Sequence, residues 1–130
     1  MKRKGQPMVR FPVHLPRELW DVLKNDRELG KTRVFLDWEP TMNNFIRSLV
    51  IDWILAWRRR NYDPANFEPS KYPFLPGKRI QIAVRLPTDV YVDFRKFCAE
   101  AGTSMNETVI EWLFRDKAVQ AALKRHRYIN

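Results

Sequence analysis

The stretch "RIQIAVRLPTDV", Arg79 to Val90, alternates along its first half: Ile80, Ile82, Val84 and Leu86 fall on one side, and Gln81, Ala83 and Arg85 on the other. A period of two predicts a half-buried strand. Beyond Pro87 the period changes. Val90, Phe94, Phe97, Cys98 and Ala101 recur at helical spacing, and Gly102 supplies a stop. Ser104 followed by Glu107 has the spacing of a capping box, and Met105, Val109, Trp112 and Leu113 form the apolar stripe of a second helix. The unit is strand, helix, turn, helix.

A near copy stands earlier, in "VRFPVHLPREL", Val9 to Leu19. Val9, Phe11, Val13 and Leu15 point inward there, and Arg10, Pro12 and His14 outward. Leu19, Val22 and Leu23 then mark a helix that Gly30 can end. The second helix starts at "TMNN", with Thr41 as N-cap, and continues through Met42, Phe45, Ile46, Leu49, Val50, Trp53, Ile54 and Trp57. The strands are offset by 85 − 14 = 71 positions and the second helices by 106 − 43 = 63, so the first copy holds about eight extra residues, within "KTRVFLDWEP", Lys31 to Pro40.

The expected organisation is a first unit over 8–60 with an insertion at 31–40, a connection over 61–78, a second unit over 79–118 and a basic extension over 119–130. The prolines Pro64, Pro69, Pro73 and Pro76, with Gly77, predict a connection without regular structure. Its aromatics Tyr62, Phe67, Tyr72 and Phe74 predict that it packs along the body. After Arg115 the chain either extends the last helix or starts another. Neither copy can cover its apolar face alone, and a single strand leaves its backbone unpaired. Pairing the strands antiparallel answers both needs. The predicted fold is one globular unit, mostly α, with a two-stranded antiparallel ribbon across a four-helix core and a pseudo-twofold axis between the copies.

Lys and Arg number 24 against 15 Asp and Glu, a net charge of +9, which favours a polyanionic partner. Charge alone does not choose between nucleic acid and an acidic membrane. The single cysteine, Cys98, precludes an internal disulfide and fits a reducing compartment, so a cytoplasmic protein is expected. The opening "MKRKGQPMVRFP" has no apolar run of the kind a secretory signal needs. The most apolar segment, Phe45 to Trp57, is short and broken by Arg47, Ser48 and Asp52, which argues against a transmembrane span or membrane partner. His14 and His126 are far apart, there is no glycine-rich phosphate loop, and the acidic residues are scattered. No catalytic constellation, metal site or cofactor is expected. Trp53, Trp57 and Trp112 are expected in the core. Trp38, with Val34, Phe35 and Leu36, either caps the core or contacts a second molecule.

On "QIAVRLPTDV" with "GTSMNETVIEWL", and "RFPVHLPREL" with "TMNNFIRSLVIDW", the chain resembles the ribbon-helix-helix (MetJ/Arc) family of DNA-binding proteins. Family units normally come from separate chains of a dimer, so two in one chain look like a tandem pseudo-dimer. The resemblance implies a ribbon lying in the major groove of double-stranded DNA, with base readers Arg10, Pro12 and His14 on one strand and Gln81, Ala83 and Arg85 on the other. An ordinary solvated strand face would carry similar residues. The resemblance also implies phosphate binding at the start of each second helix, at Met42 and Asn43 and at Met105 and Asn106. Simple helix capping is compatible with that role.

Lys2, Arg3 and Lys4 would lie along flanking phosphates, as would Lys124, Arg125 and Arg127 if the C-terminus folds towards DNA; a solvated tail is the alternative. Pro12 must turn the side of its backbone that lacks an N–H away from the partner strand or cost a ladder bond. The two strands carry different reading sets, which points to an asymmetric site. The implied occupation is a transcriptional regulator or repressor. A close second is an accessory protein of conjugative or T-DNA transfer, acting beside a relaxase or further copies of itself. An antitoxin-type regulator would carry a longer tail, and an RNA- or protein-binding scaffold would show no preference among duplex sequences.

Overall fold

Each strand ends on Leu-Pro, and a helix begins at the next residue. In the computed structural model, which describes residues 7–29, 42–68, 72 and 78–129, β1 spans Met8–Pro16 and leads directly into α1, Arg17–Asn25. Strand β2, Arg79–Pro87, leads in the same way into α3, Thr88–Ala101. Pro16 and Pro87 adopt nearly the same extended conformation, with φ −52° in both and ψ of 134° and 142°. Proline fixes φ there and re-aims the chain from strand to helix. Helix α2 (Met42–Arg58) follows α1 in the chain, and α4 (Met105–Arg115) follows α3. The described chain is mostly helical, with one two-stranded antiparallel sheet.

The register pairs Arg10 with Arg85, Pro12 with Ala83, and His14 with Gln81. The ribbon is tied off at both ends by the helices that leave it: Arg17 N–H donates to Lys78 O at 3.2 Å, and Thr88 N–H donates to Pro7 O at 3.1 Å. Phe11, Val13, Leu15, Val84 and Leu86 are buried beneath the ribbon with Leu19, Leu23, Ile46, Val50, Phe94 and Val109 in one contiguous core. Alternation places one face of each strand on that core, as the period of two predicts.

Helix ends follow their chemistry. Gly102, at φ +71°, ends α3 in the left-handed conformation, and Thr103 N–H donates to Cys98 O at 3.0 Å. Ser104 caps α4 by accepting from Glu107 N–H at 3.0 Å. Helix α1 departs from expectation: it stops at Asn25, before Gly30, and residues 27–29 turn helically again after Asp26. Asp26 breaks the helix because it caps the following turn, accepting from Leu29 N–H at 2.9 Å. Asp116 does the same after α4. It accepts from Val119 N–H at 3.1 Å and opens a separate helix, α5, Lys117–Arg125.

Helix α5 packs on α1, so the C-terminal segment is neither an extension of α4 nor a solvated tail. Arg125 forks onto Asp26, with Nε at 3.0 Å and Nη2 at 2.7 Å, and His126 Nε2 lies 3.1 Å from the same carboxylate. The connection contains a short 3-10 turn, Pro64–Asn66, where no regular structure was expected. Phe67 is buried, Tyr62 and Tyr72 pack on the core, and Tyr72 donates to the buried Glu111 at 2.9 Å. Arg115 also holds Glu111, at 2.6 Å, and donates to Glu68 O at 2.6 Å. Phe74, Thr41 and the insertion with Val34, Phe35, Leu36 and Trp38 lie outside the described residues. Trp112 is fully buried, while Trp53 and Trp57 are half-buried against it and Phe97.

Candidate nucleic-acid interface

The ribbon turns its second face away from the core. Arg10, Pro12, His14, Gln81 and Arg85 are exposed on it, and the small Ala83 is half-buried. His14 N–H donates to Asn106 Oδ1 at 2.6 Å, and Asn106 Nδ2 donates to His14 O at 3.1 Å. Both backbone groups of His14 therefore leave the ladder. On the other strand, Asn43 Nδ2 donates to Ala83 O at 2.5 Å, and Asn43 Oδ1 receives a long contact from Arg85 N–H at 3.5 Å. Arg47 Nε donates to Arg85 O at 3.0 Å.

In an antiparallel ladder, residues of one parity turn both backbone groups outward and form the non-hydrogen-bonded pairs. Pro12 shares the parity of His14. Its missing N–H faces the free edge and costs no ladder bond, so the mid-strand proline is compatible with full pairing. The base-reading candidates all lie at non-hydrogen-bonded pairs, where facing side chains come closest.

The phosphate candidates divide. Asn43 and Asn106 sit in the first turns of α2 and α4, as expected, but their side chains are engaged in gripping the strand edges. Each asparagine supplies one acceptor and one amide donor, which matches an exposed peptide edge. They hold the ribbon rather than reach past it. The Ser104 hydroxyl takes Glu107 N–H and its carbonyl takes Thr108 N–H, which leaves the Met105 and Asn106 amides outside its grasp. Met42 begins α2. Lys2, Arg3 and Lys4 lie outside the described residues. Lys124 and Arg127 are exposed, whereas Arg125 is committed to Asp26.

Two arginines absent from the sequence-based candidates join the site. Arg47, four residues after Asn43 on the same helix face, also approaches Asn43 Oδ1, at 3.4 Å. Arg79 Nη1 donates to His14 O at 3.2 Å and lies 3.6 Å from Glu107 Oε1. The spacing of Arg47 from Asn43 was the available signal.

Asn106→Ala is expected to remove both Asn106 bonds to His14 at once, leaving His14 N–H unpaired on this edge and His14 O with Arg79 alone. With a net contribution of roughly 0.5–1.5 kcal/mol per bond, the variant should lose about 1–2 kcal/mol in urea unfolding. Faster amide exchange at His14 should accompany the loss. Unchanged exchange there would show that the clamp carries no weight.

Cys98 is buried with its Sγ 3.3 Å from the Thr108 hydroxyl, and burial pushes the thiol up to about 11. Such a thiol is a packing group, not a nucleophile. Among the described residues no group of His, Cys, Asp and Glu is placed to hold a metal ion, and no helix is long and apolar enough to cross a membrane. No family model, curated protein or solved structure matches the chain.

Proposed function

We propose that the chain is a tandem ribbon-helix-helix pseudo-dimer that binds double-stranded DNA sequence-specifically, laying β1 and β2 into the major groove and acting as a transcriptional regulator. The observation that carries this reading is a polar outer ribbon face with its edges gripped by Asn43 and Asn106, so that Arg10, His14, Gln81 and Arg85 project from a fixed backbone. A two-stranded ribbon matches the width of the major groove, and Arg and Gln are suited to guanine and adenine edges.

The pseudo-twofold has its own support. The repeat offset of 71 relates Pro12 to Ala83, and the register pairs those same two residues at the middle of both strands. The same offset relates Arg17 N–H on Lys78 O to Thr88 N–H on Pro7 O; His14 N–H on Asn106 matches Arg85 N–H on Asn43 through the strand offset of 71 and the second-helix offset of 63. The net charge of +9 fits a duplex partner.

Selection from random duplex DNA should return a preferred site. With roughly six phosphates neutralised, log affinity should fall with log salt at a slope near −5. Equal affinity for duplexes of any sequence, or a preference for RNA, would overturn the reading.

A further inference from the structure

Resting on the duplex-binding reading above, we propose that the ribbon is chemically polarised and binds a non-palindromic duplex in one orientation: Arg10 and Arg85 take guanines at one end, and Gln81 with His14 takes an adenine-containing step at the other. Strand membership hides this arrangement. Arg10 belongs to β1 with His14, and Arg85 to β2 with Gln81, but the antiparallel register regroups them across the strands. One end then carries two guanidinium groups, and the opposite end an imidazole and an amide. A symmetric dimer would place the same residues at both ends and favour a palindrome. Here the ends differ.

The charges behind each end reinforce the difference. Arg10 and Arg85 face each other at a non-hydrogen-bonded pair, both exposed, and among the described residues no carboxylate pairs with either side chain. Like charges directly opposite on a ribbon oppose folding, and the O6 and N7 acceptors of guanine relieve that repulsion by accepting the guanidinium forks. Arg47 adds a third cation at this end through its bond to Arg85 O. At the other end Arg79 is balanced by Glu107, 3.6 Å away. Gln81 there offers the donor and acceptor that adenine N6 and N7 require. Between the ends, Pro12 and Ala83 present only carbon, which fits thymine methyl groups and no hydrogen-bonding edge.

The test uses the full chain and every single-base-pair variant of its selected duplex. Arg10→Ala and Arg85→Ala, from distant parts of the sequence, should both relax guanine preference in the same half of the site, by roughly 5- to 100-fold each. Gln81→Ala should relax adenine preference in the other half and leave the first intact. Arg10→Lys and Arg85→Lys keep the charge and lose the bidentate fork, so they should relax the same half should either alanine variant melt early. A palindromic site, or Arg10 and Arg85 variants that relax opposite halves, would overturn the polarity and leave the duplex-binding reading standing. A wild-type chain with no sequence preference would overturn both.

Discussion

Trp112→Ala is expected to be the most damaging single substitution in the core, costing about 3–5 kcal/mol. Trp112 has 0% of its surface exposed and gathers rings from α2, α3 and the connection between the repeats. Trp53 of α2 stacks on it at 5.4 Å with a 5° interplanar angle, Phe94 and Phe97 of α3 lie at 5.4 and 5.3 Å, and Tyr62 of the connection is 6.5 Å away. Trp112 Nε1 also points to the Tyr62 hydroxyl at 3.5 Å. Stiff rings on several sides cannot collapse into the space left by an indole, so the cavity term adds to the lost transfer energy. A domain of this size is stable by only roughly 5–15 kcal/mol, so the variant should lose a large share of that margin. Urea unfolding followed by far-UV circular dichroism should show one transition at a much lower midpoint, with both halves melting together. Trp112→Phe, which keeps a ring, should lose clearly less. An alanine variant within about 1 kcal/mol of wild type would show that these rings do not join the two halves.

The elements that were legible in the sequence are those whose signal is local. Period-two alternation assigned the faces of β1 and β2, because a strand's side chains alternate whatever it pairs with. Gly102 and Ser104 marked their helix ends because their capping chemistry is complete within a few residues. The end of α1 was not legible. "RELWDVLKNDRELG" has no glycine or proline before Gly30; Asp26 is the local cap that ends the helix, but what sets it apart from the other acidic residues of the stretch is the fork from Arg125, 99 residues away along the chain.

The candidate interface divides along the same line. Which residues face outward followed from parity, but which of them share an end followed from the register, a long-range property that no hairpin turn fixes here. Asn43 and Asn106 were visible as first-turn residues at helix N-termini. Their grip on the strand edges was not, because it depends on where each helix meets a strand distant in sequence. The same holds for Arg79, whose contacts with His14 O and Glu107 cross between elements.

Asp26→Asn isolates the latch between α1 and α5. The Arg125 guanidinium fork holds the Asp26 carboxyl down to about 2 from its ordinary 3.8, outweighing the opposing effect of burial, with help from Leu29 N–H and His126. A carboxylate whose value is depressed in the folded state contributes its stability above the unfolded value and loses it as the pH falls through the folded one. The contribution is therefore whole above pH 3.8, declines from there, and is gone below about pH 2. Its size at neutral pH is about 2 kcal/mol. Asparagine keeps one side-chain oxygen for Leu29 N–H but removes the charge and replaces the oxygen that faces Arg125 Nε and His126 with an amide donor, so Asp26→Asn should lose at least that amount, about 2 kcal/mol, at pH 7. Thermal or urea unfolding measured from pH 7 to pH 2 should show the wild-type and variant stabilities converging across the acid window. Parallel curves over that range would mean that Asp26 carries no folded-state charge interaction, and that apolar packing of Val119, Ala122 and Leu123 alone holds α5 in place.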